Sequence, residues 1–263
     1  MTKSYYTTQL QAGLGLVNET QLLLGIWQQD MSTTDLFQTA LESGEFPNVT
    51  ARRLRNIIAE CFAPRYTKPE LPPVSWLKVL NHSIDARSLN QLFFLFTARA
   101  NLILRDFVSQ VYWERFASGY SELSNEDSKE FVQRATSDGK TQKLWSDTTV
   151  KRISSYLLGA CVDYGLLKKQ TRTTRQITPI RLNTSVAIIL AYELHLRGIA
   201  DNNLINHPDW RLFGLEPDDV RDELKRLSVH KLWIIQSAAD VVSISWSYKN
   251  MEEVIDVILE ARL

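Results

Sequence analysis

The sequence predicts a mainly α-helical protein: a helical bundle with a helix-turn-helix-like N-terminal module and small winged-helix-like β-hairpins in the C-terminal region. Three observations lead there. Apolar residues recur at i, i+3, i+4 spacing through most of the 263 residues, the pattern of helices that each bury one face. Alternation of apolar and polar residues is confined to two late stretches, "KKQTRTTRQITPIRL" and "KLWIIQSAADVVSISWSY", as in short half-buried strands. A Pro-rich segment, "APRYTKPELPPVSW", separates the first three helical stretches from the rest.

Leu22, Leu23, Ile26 and Trp27 form the apolar stripe of the first helix, and Leu36, Phe37, Ala40 and Leu41 that of the second. Ser32 followed three residues later by Asp35 reads as a capping box, and Gly44 stands where a left-handed residue closes a helix. Thr50 caps the third helix, whose inner face is Leu54, Ile57, Ile58 and Cys61, while Arg52, Arg55, Asn56 and Ala59 repeat the same spacing on the outer face. The four prolines from Ala63 to Trp76 predict an extended connection and a domain boundary, dividing residues 1–70 from 71–263.

A long helix is expected from about Ala86 to Ser118, apolar on nearly all sides and hence a buried axis. A capped surface helix starts at Ser124 and stops before Gly139. Another runs from about Thr148 to Leu167 into the first alternating stretch, and "TSVAIILAYELHLRG" continues as helix. "EPDDVRDELKRLS" is helical and leads into the last two alternating runs, which flank a polar turn near Ala238 to Asp240. Helix followed by hairpin is the outline of a winged helix-turn-helix.

Lys plus Arg and Asp plus Glu each number 30, so overall charge selects no partner and only local clusters count. The two cysteines, Cys61 and Cys161, belong to no CxxC pair and sit in apolar helical patterns, the setting of buried free thiols in a reducing cytoplasm. The N-terminus lacks a signal-like apolar core. Arg99 and Glu193 interrupt the most apolar runs before they reach the roughly 18 residues of a spanning helix. A cytoplasmic protein without a membrane partner is expected.

Catalytic signatures are scarce. The four histidines are scattered, with no HxH or HExxH spacing, and no GxxxxGK[ST] or GxSxG occurs. "GLGL" at Gly13 to Leu16 lacks the third glycine of a dinucleotide loop. No enzyme activity, cofactor or metal is expected, and His195 reads as a packed histidine. Most of the seven tryptophans and nine tyrosines fall at core spacing; Trp233 and Trp246 in the last hairpin suit either packing or base stacking.

Two basic clusters remain. Arg52, Arg53, Arg55, Arg65 and Lys68 are opposed only by Glu60 between Thr50 and Pro69. Lys168, Lys169, Arg172, Arg175 and Arg181 fall in a stretch with no acidic residue from Gly165 to Leu182. Either is a solvated surface balanced by ion pairs elsewhere, or a phosphate-binding patch. Cations at the positive end of a helix dipole cost ~0.3–1 kcal/mol each, which favours a bound anion at Arg52 and Arg53. Arg52, Arg55 and Asn56 are also types that pair with guanine and adenine edges. The chain from Gly44 to Val49 is longer than the usual helix-turn-helix turn.

The runs "YYTTQLQAGLGLVNETQLLLGIW" and "MSTTDLFQTALESGEFPNVTARRLRNIIAECFAPRY" resemble the BrxA family, accessory proteins of BREX bacteriophage-exclusion systems. The resemblance is clear over residues 5 to 70 and continues by helical layout beyond. It implies a mostly helical, non-enzymatic, cytoplasmic component of a phage-defence system, able to bind DNA, and together with the basic clusters the expected ligand is double-stranded DNA held largely through its phosphates. Other BREX proteins are implied as partners. The family has also been likened to NusB-type RNA-binding antitermination proteins and labelled an inner-membrane protein. An RNA-binding protein and a protein scaffold are therefore the rival readings.

Overall fold

A computed structural model describes residues 5–13, 15–238 and 241–261. The protein is mainly helical, with two small antiparallel sheets. A 3-10 turn at Gln9–Ala12 precedes α1 (Val17–Ile26), α2 (Thr33–Glu42) and α3 (Ala51–Asn56). The caps read from the sequence are present. The Ser32 hydroxyl accepts the Asp35 amide at 3.1 Å while the Asp35 carboxylate accepts the Ser32 amide at 3.2 Å, and Thr50 accepts the Arg53 amide at 3.3 Å. Each such cap is worth about 1 kcal/mol. The inner face of α1 is Thr20, Leu23 and Leu24 rather than Leu22, Ile26 and Trp27, and Leu41 of α2 is exposed.

Helix α3 does not stop at the first proline. It continues as a π-helical stretch, Ile57–Thr67, with Pro64 inside it. Proline lacks only its own amide, and the wider i→i+5 register carries the chain past, with the Lys68 amide donating to the Ala63 carbonyl at 2.9 Å. Only residues 68–73 are irregular before α4 (Val74–Leu80) begins. By density of packing the chain forms two units: residues 1–78 with 93–180, and residues 79–92 with 181–263. The Pro-rich segment thus lies inside the first unit, where buried Arg65, Tyr66, Val74 and Trp76 tie its flanks to the core, rather than between units as the division at residue 70 expected.

The expected long helix is broken. Helix α5 (Ala86–Ala100) ends at Asn101, and α6 (Leu102–Phe107), a π turn at Val108–Tyr112 and α7 (Trp113–Ala117) follow. The Asn101 side chain donates to the Thr97 carbonyl at 2.9 Å, and the Asn101 backbone carbonyl accepts the Leu104 and Arg105 amides. An Asn that bonds the backbone locally ends one helix and starts the next. The first unit then adds β1 (Glu122–Ser124), α8 (Asn125–Ser137), α9 (Asp147–Asp163), β2 (Leu167–Lys169) and β3 (Thr174–Ile177). Its sheet has the order β1-β3-β2. The core gathers Phe62, Tyr66, Phe93, Phe94, Phe107, Tyr112 and Tyr164, all at most 3% exposed. Each such side chain contributes about 1.5–3 kcal/mol by burial.

In the second unit α10 (Thr184–Leu196) is buried almost all round, as its continuous apolar run requires. It is followed by α11 (Asp201–Ile205), a 3-10 turn at Pro208–Phe213, α12 (Pro217–Leu227), a 3-10 turn at Ser228–His230, β4 (Trp233–Ala238), β5 (Val241–Trp246) and α13 (Met251–Glu260). The hairpin pairs Trp233 with Trp246 and Ala238 with Val241. Of the turn expected near Ala238 to Asp240, residues 239 and 240 lie outside the described residues. The amides of Val242 and Ile244 donate to Asn202 and Asp201 at 3.1 and 2.8 Å, so α11 satisfies the free edge of β5 and blunts it against strand addition. Trp233 is buried against Tyr192, its indole donating to the Leu224 carbonyl at 2.9 Å. Packing, not stacking on a ligand, accounts for it.

Candidate nucleic-acid interface

The basic stretch 165–182 leaves α9 through a glycine. The Leu166 amide donates to the Cys161 carbonyl at 2.9 Å and the Gly165 amide to Val162 at 3.0 Å, with Gly165 at φ +78°. This Schellman closure needs a left-handed residue, which glycine supplies without strain. The chain then enters β2. Leu167 pairs with Ile177 and both are buried. Two residues further along each strand, Lys169 pairs with Arg175, and Arg175 pairs on its other side with Leu123 of β1. Strand alternation puts Lys169 and Arg175 on the face of Leu167 and Ile177, at the end where Lys169 is exposed and Arg175 half-exposed. Lys168 is exposed on the opposite face.

The turn at 170–173 is organised by one hydroxyl: Thr171 accepts the amides of Thr173 and Thr174 at 3.2 and 3.0 Å. Arg172 is exposed within it. The Asn125 amide at the start of α8 donates to the Thr173 carbonyl at 2.9 Å, anchoring the hairpin to that helix. Lys168, Lys169, Arg172 and Arg175 have no acidic partner within ion-pair distance among the described residues. Arg181 is exposed too, but it belongs to the second unit.

Helix α9, directly before this hairpin, carries a feature that the charge clusters did not single out. Val150, Ile153, Ser154, Leu157, Leu158 and Cys161 face inward. Thr148, Lys151, Arg152 and Ser155, at i, i+3, i+4 and i+7, are exposed. The same periodicity that marks the core stripe marks this polar one, so it was readable in the sequence. The crossing of α8 and α9 is close: the Ser128 hydroxyl donates to the Ser154 carbonyl at 3.0 Å, while the Ser154 hydroxyl donates to the Val150 carbonyl of its own helix at 2.8 Å and lies 3.4 Å from the Ser128 carbonyl.

The N-terminal cluster is more engaged by the fold. Arg52 and Lys68 are exposed. The Arg55 guanidinium lies 4.8 Å from the ring centroid of Phe37, a cation–π contact worth ~0.5–1 kcal/mol at an exposed site. Arg53, half-buried, lines a surface depression with Asn18, Glu19 and Asp163, so carboxylates stand near the helix end where an anion was expected. Asn56 is half-buried. Arg65 does not belong to the surface. It is 3% exposed, and donates to the carbonyls of Gly15 and Gly13 at 3.4 and 3.3 Å. The "GLGL" stretch is thus a docking point for a buried cation. Long cationic side chains are seldom buried, and no local pattern announced this one.

Burial pushes the Cys61 and Cys161 thiols up from their ordinary range, which disfavours the reactive thiolate. His195 stacks on Trp246, ring centroids 4.4 Å apart, and is half-buried as expected of a packed histidine. Among the described residues no group of three His, Cys, Asp or Glu gathers as metal ligands, and no helix is long and apolar enough to cross a membrane.

A family model described as BrxA matches residues 4–193, a span that holds both basic clusters and α9. Among solved structures the chain is similar to one described as the crystal structure of an uncharacterized protein from Magnetospirillum magneticum. The two share 14% identity with a TM-score of 0.59, over 79% of this chain and 97% of that one. At that identity the likeness concerns the fold alone. No curated protein matches the chain.

Proposed function

The chain belongs to the BrxA family, and from that premise of a BREX-associated protein we propose that it is a non-enzymatic, cytoplasmic component that binds double-stranded DNA, chiefly through phosphates. The observation that carries this reading is the hairpin β2–β3, with Lys168, Lys169, Arg172 and Arg175 on a fold that supplies them no acidic partner among the described residues. Because the whole chain has formal net charge +0, attraction to a polyanion is local and is screened beyond the ~8 Å Debye length of physiological salt. Each phosphate neutralised releases condensed counterions, so log K falls against log salt with a slope of about 0.9 per contact.

The α2–α3 pair is the weaker half of the proposal. Its connection, residues 43–50, is long for a helix-turn-helix, and of its arginines Arg52 alone is exposed without a ring or a nearby carboxylate described beside it. The test is a salt series of fluorescence anisotropy with a labelled DNA duplex and a structured RNA of equal length. Duplex binding that is tight at low salt and falls linearly in the logarithm supports the reading. Preference for the RNA transfers it to an antitermination-like protein. Failure to bind either, with co-purification of other BREX proteins, transfers it to a scaffold.

A further inference from the structure

We propose that α6 to β3, residues 102–177, form a winged reader of duplex DNA in which α9 enters the major groove and the β2–β3 hairpin grips the neighbouring backbone. This rests on the DNA-binding reading and assigns its site. The order of elements is helix (α6 to α7), short strand (β1), helix (α8), helix (α9), then hairpin (β2, β3). Strand β3 lies in the middle of the sheet, antiparallel to both β1 and β2. This is the topology of a winged helix-turn-helix. In a helix-turn-helix the second helix of the pair, here α9, carries the recognition face. The link between α8 and α9, residues 138–146, is longer than the simplest turn, but the Ser128 bond to the Ser154 carbonyl, with both serines buried, holds the crossing without it.

The outer stripe of α9 has suitable chemistry. Lys151 and Arg152 are donors for guanine edges, and Thr148 and Ser155 accommodate several bases. All four are exposed in the N-terminal half of the helix, the half that reaches base edges in this mode. Neither Lys151 nor Arg152 has an ion-pair partner among the described residues. Lys168, Lys169 and Arg172 supply the wing.

The second unit offers a natural comparison, since α12 also leads into a hairpin, β4–β5. There the cations are neutralised: Arg221 pairs with Asp218, Lys225 with Asp222 at 3.7 Å, and Arg226 with Glu223 at 2.5 Å. Asp219 adds a further negative charge in the first turn. A phosphate approaching α12 meets an acidic helix, whereas one approaching α9 meets Lys151 and Arg152 against one carboxylate, Asp147, in the first turn. Two helix–hairpin arrangements in one chain therefore differ in the one property that selects a polyanion. Of the winged-helix-like hairpins that the sequence suggested, β4–β5 is the unsuitable one.

Three variants of the full-length chain decide the matter: K151A/R152A in the helix, K168A/K169A/R172A in the wing and R52A/R55A in α3. Each is first checked for an unchanged far-ultraviolet spectrum and melting point. Affinity and salt slope are measured on a random-sequence duplex, and preferred sites are selected from a randomised duplex pool. The wing variant is expected to lower the slope by about 2.7, at ~0.9 for each of three phosphates. The helix variant is expected to lose about 5- to 150-fold in discrimination for each base pair it reads, together with interference by methylation of guanine N7 in the major groove. The α3 variant should change little. If the parent binds duplex but the helix variant selects the same sites as strongly, or the α3 variant alone abolishes binding, this assignment is wrong while DNA binding stands. If the parent binds no duplex at low salt, both fall.

Discussion

The guanidinium of Arg65 donates to the carbonyl of Gly15, 3.4 Å away and 50 residues earlier in the chain. The Tyr164 hydroxyl donates to the same oxygen at 3.0 Å, and the Gly15 amide donates to the Asp163 carboxylate at 3.0 Å. A cation that looked like part of a surface patch therefore holds the entrance of α1 to α9 and the π-helical stretch. Replacing Arg65 with Ala takes the buried donor from the Gly13 carbonyl, at about 1–3 kcal/mol, and leaves Gly15 with the Tyr164 hydroxyl alone, while a cavity opens where the guanidinium lay. The expected outcome is a large fall in the urea midpoint with R65A. R52A, at an exposed position, should change stability by less than ~0.5 kcal/mol.

Gly15 should be as sensitive as its partner. A Cβ built there would lie 2.6 Å from the Asp163 Cβ, a contact that relieves itself only if α9 or the loop shifts. Overpacking of this kind costs about 1–3 kcal/mol. G15A should lower the melting point, and adding D163A to it should recover little, since the Ala Cβ still clashes and the amide loses its acceptor.

How much of this was legible in the sequence follows the range of the forces involved. The caps at Ser32, Thr50 and Ser124 are local hydrogen bonds within four residues, and each stands where its pattern placed it. The inner face of α3 and the hairpin strands follow from periodicity and are also in place. Strand β1, three residues long, is too short to show alternation and exists because β3 pairs with it. The break at Asn101 depends on one side chain choosing the Thr97 carbonyl over solvent. The burial of Arg65 depends on glycine carbonyls far away in sequence. The outer stripe of α9 was visible at helical spacing but gathers only two cations, fewer than the runs that drew notice. Of the candidate site, the hairpin cations were legible from an acid-free stretch, and the α9 stripe only as a polar helical spacing without a charge run to mark it.

His195 makes a pH prediction whose sign is fixed by its surroundings. Burial lowers its pKa from the ordinary value, partly offset by Asp201, so the native state prefers the neutral ring. Below the unfolded value of ~6.5 the unfolded chain binds the proton more readily than the folded one. Stability from this group is complete above ~6.5 and is lost as the pH falls through the lower, folded value. Urea midpoints measured on both sides should decline on acidification, and H195F, which keeps a ring against Trp246, should show a shallower decline.

The last prediction separates the shape of the wing from its charge. Thr171 holds the turn by accepting two backbone amides, those of Thr173 and Thr174, and a valine in its place keeps the β-branched form while removing the acceptor. The charge of the chain is unchanged. Because the turn is exposed, water replaces the lost bonds and stability should shift by less than ~1 kcal/mol. The cost appears on binding, where Arg172 and its neighbours must be ordered anew at about 0.5–1.5 kcal/mol for each immobilised side chain. T171V is therefore expected to weaken duplex binding by about 2- to 13-fold for each side chain so ordered with an unaltered salt slope, because the same phosphates are still contacted. Faster amide exchange at Thr173 and Thr174 should accompany it. An unchanged affinity beside faster exchange would mean that the hairpin cations act as a diffuse charge and that the ordered turn has no part in recognition.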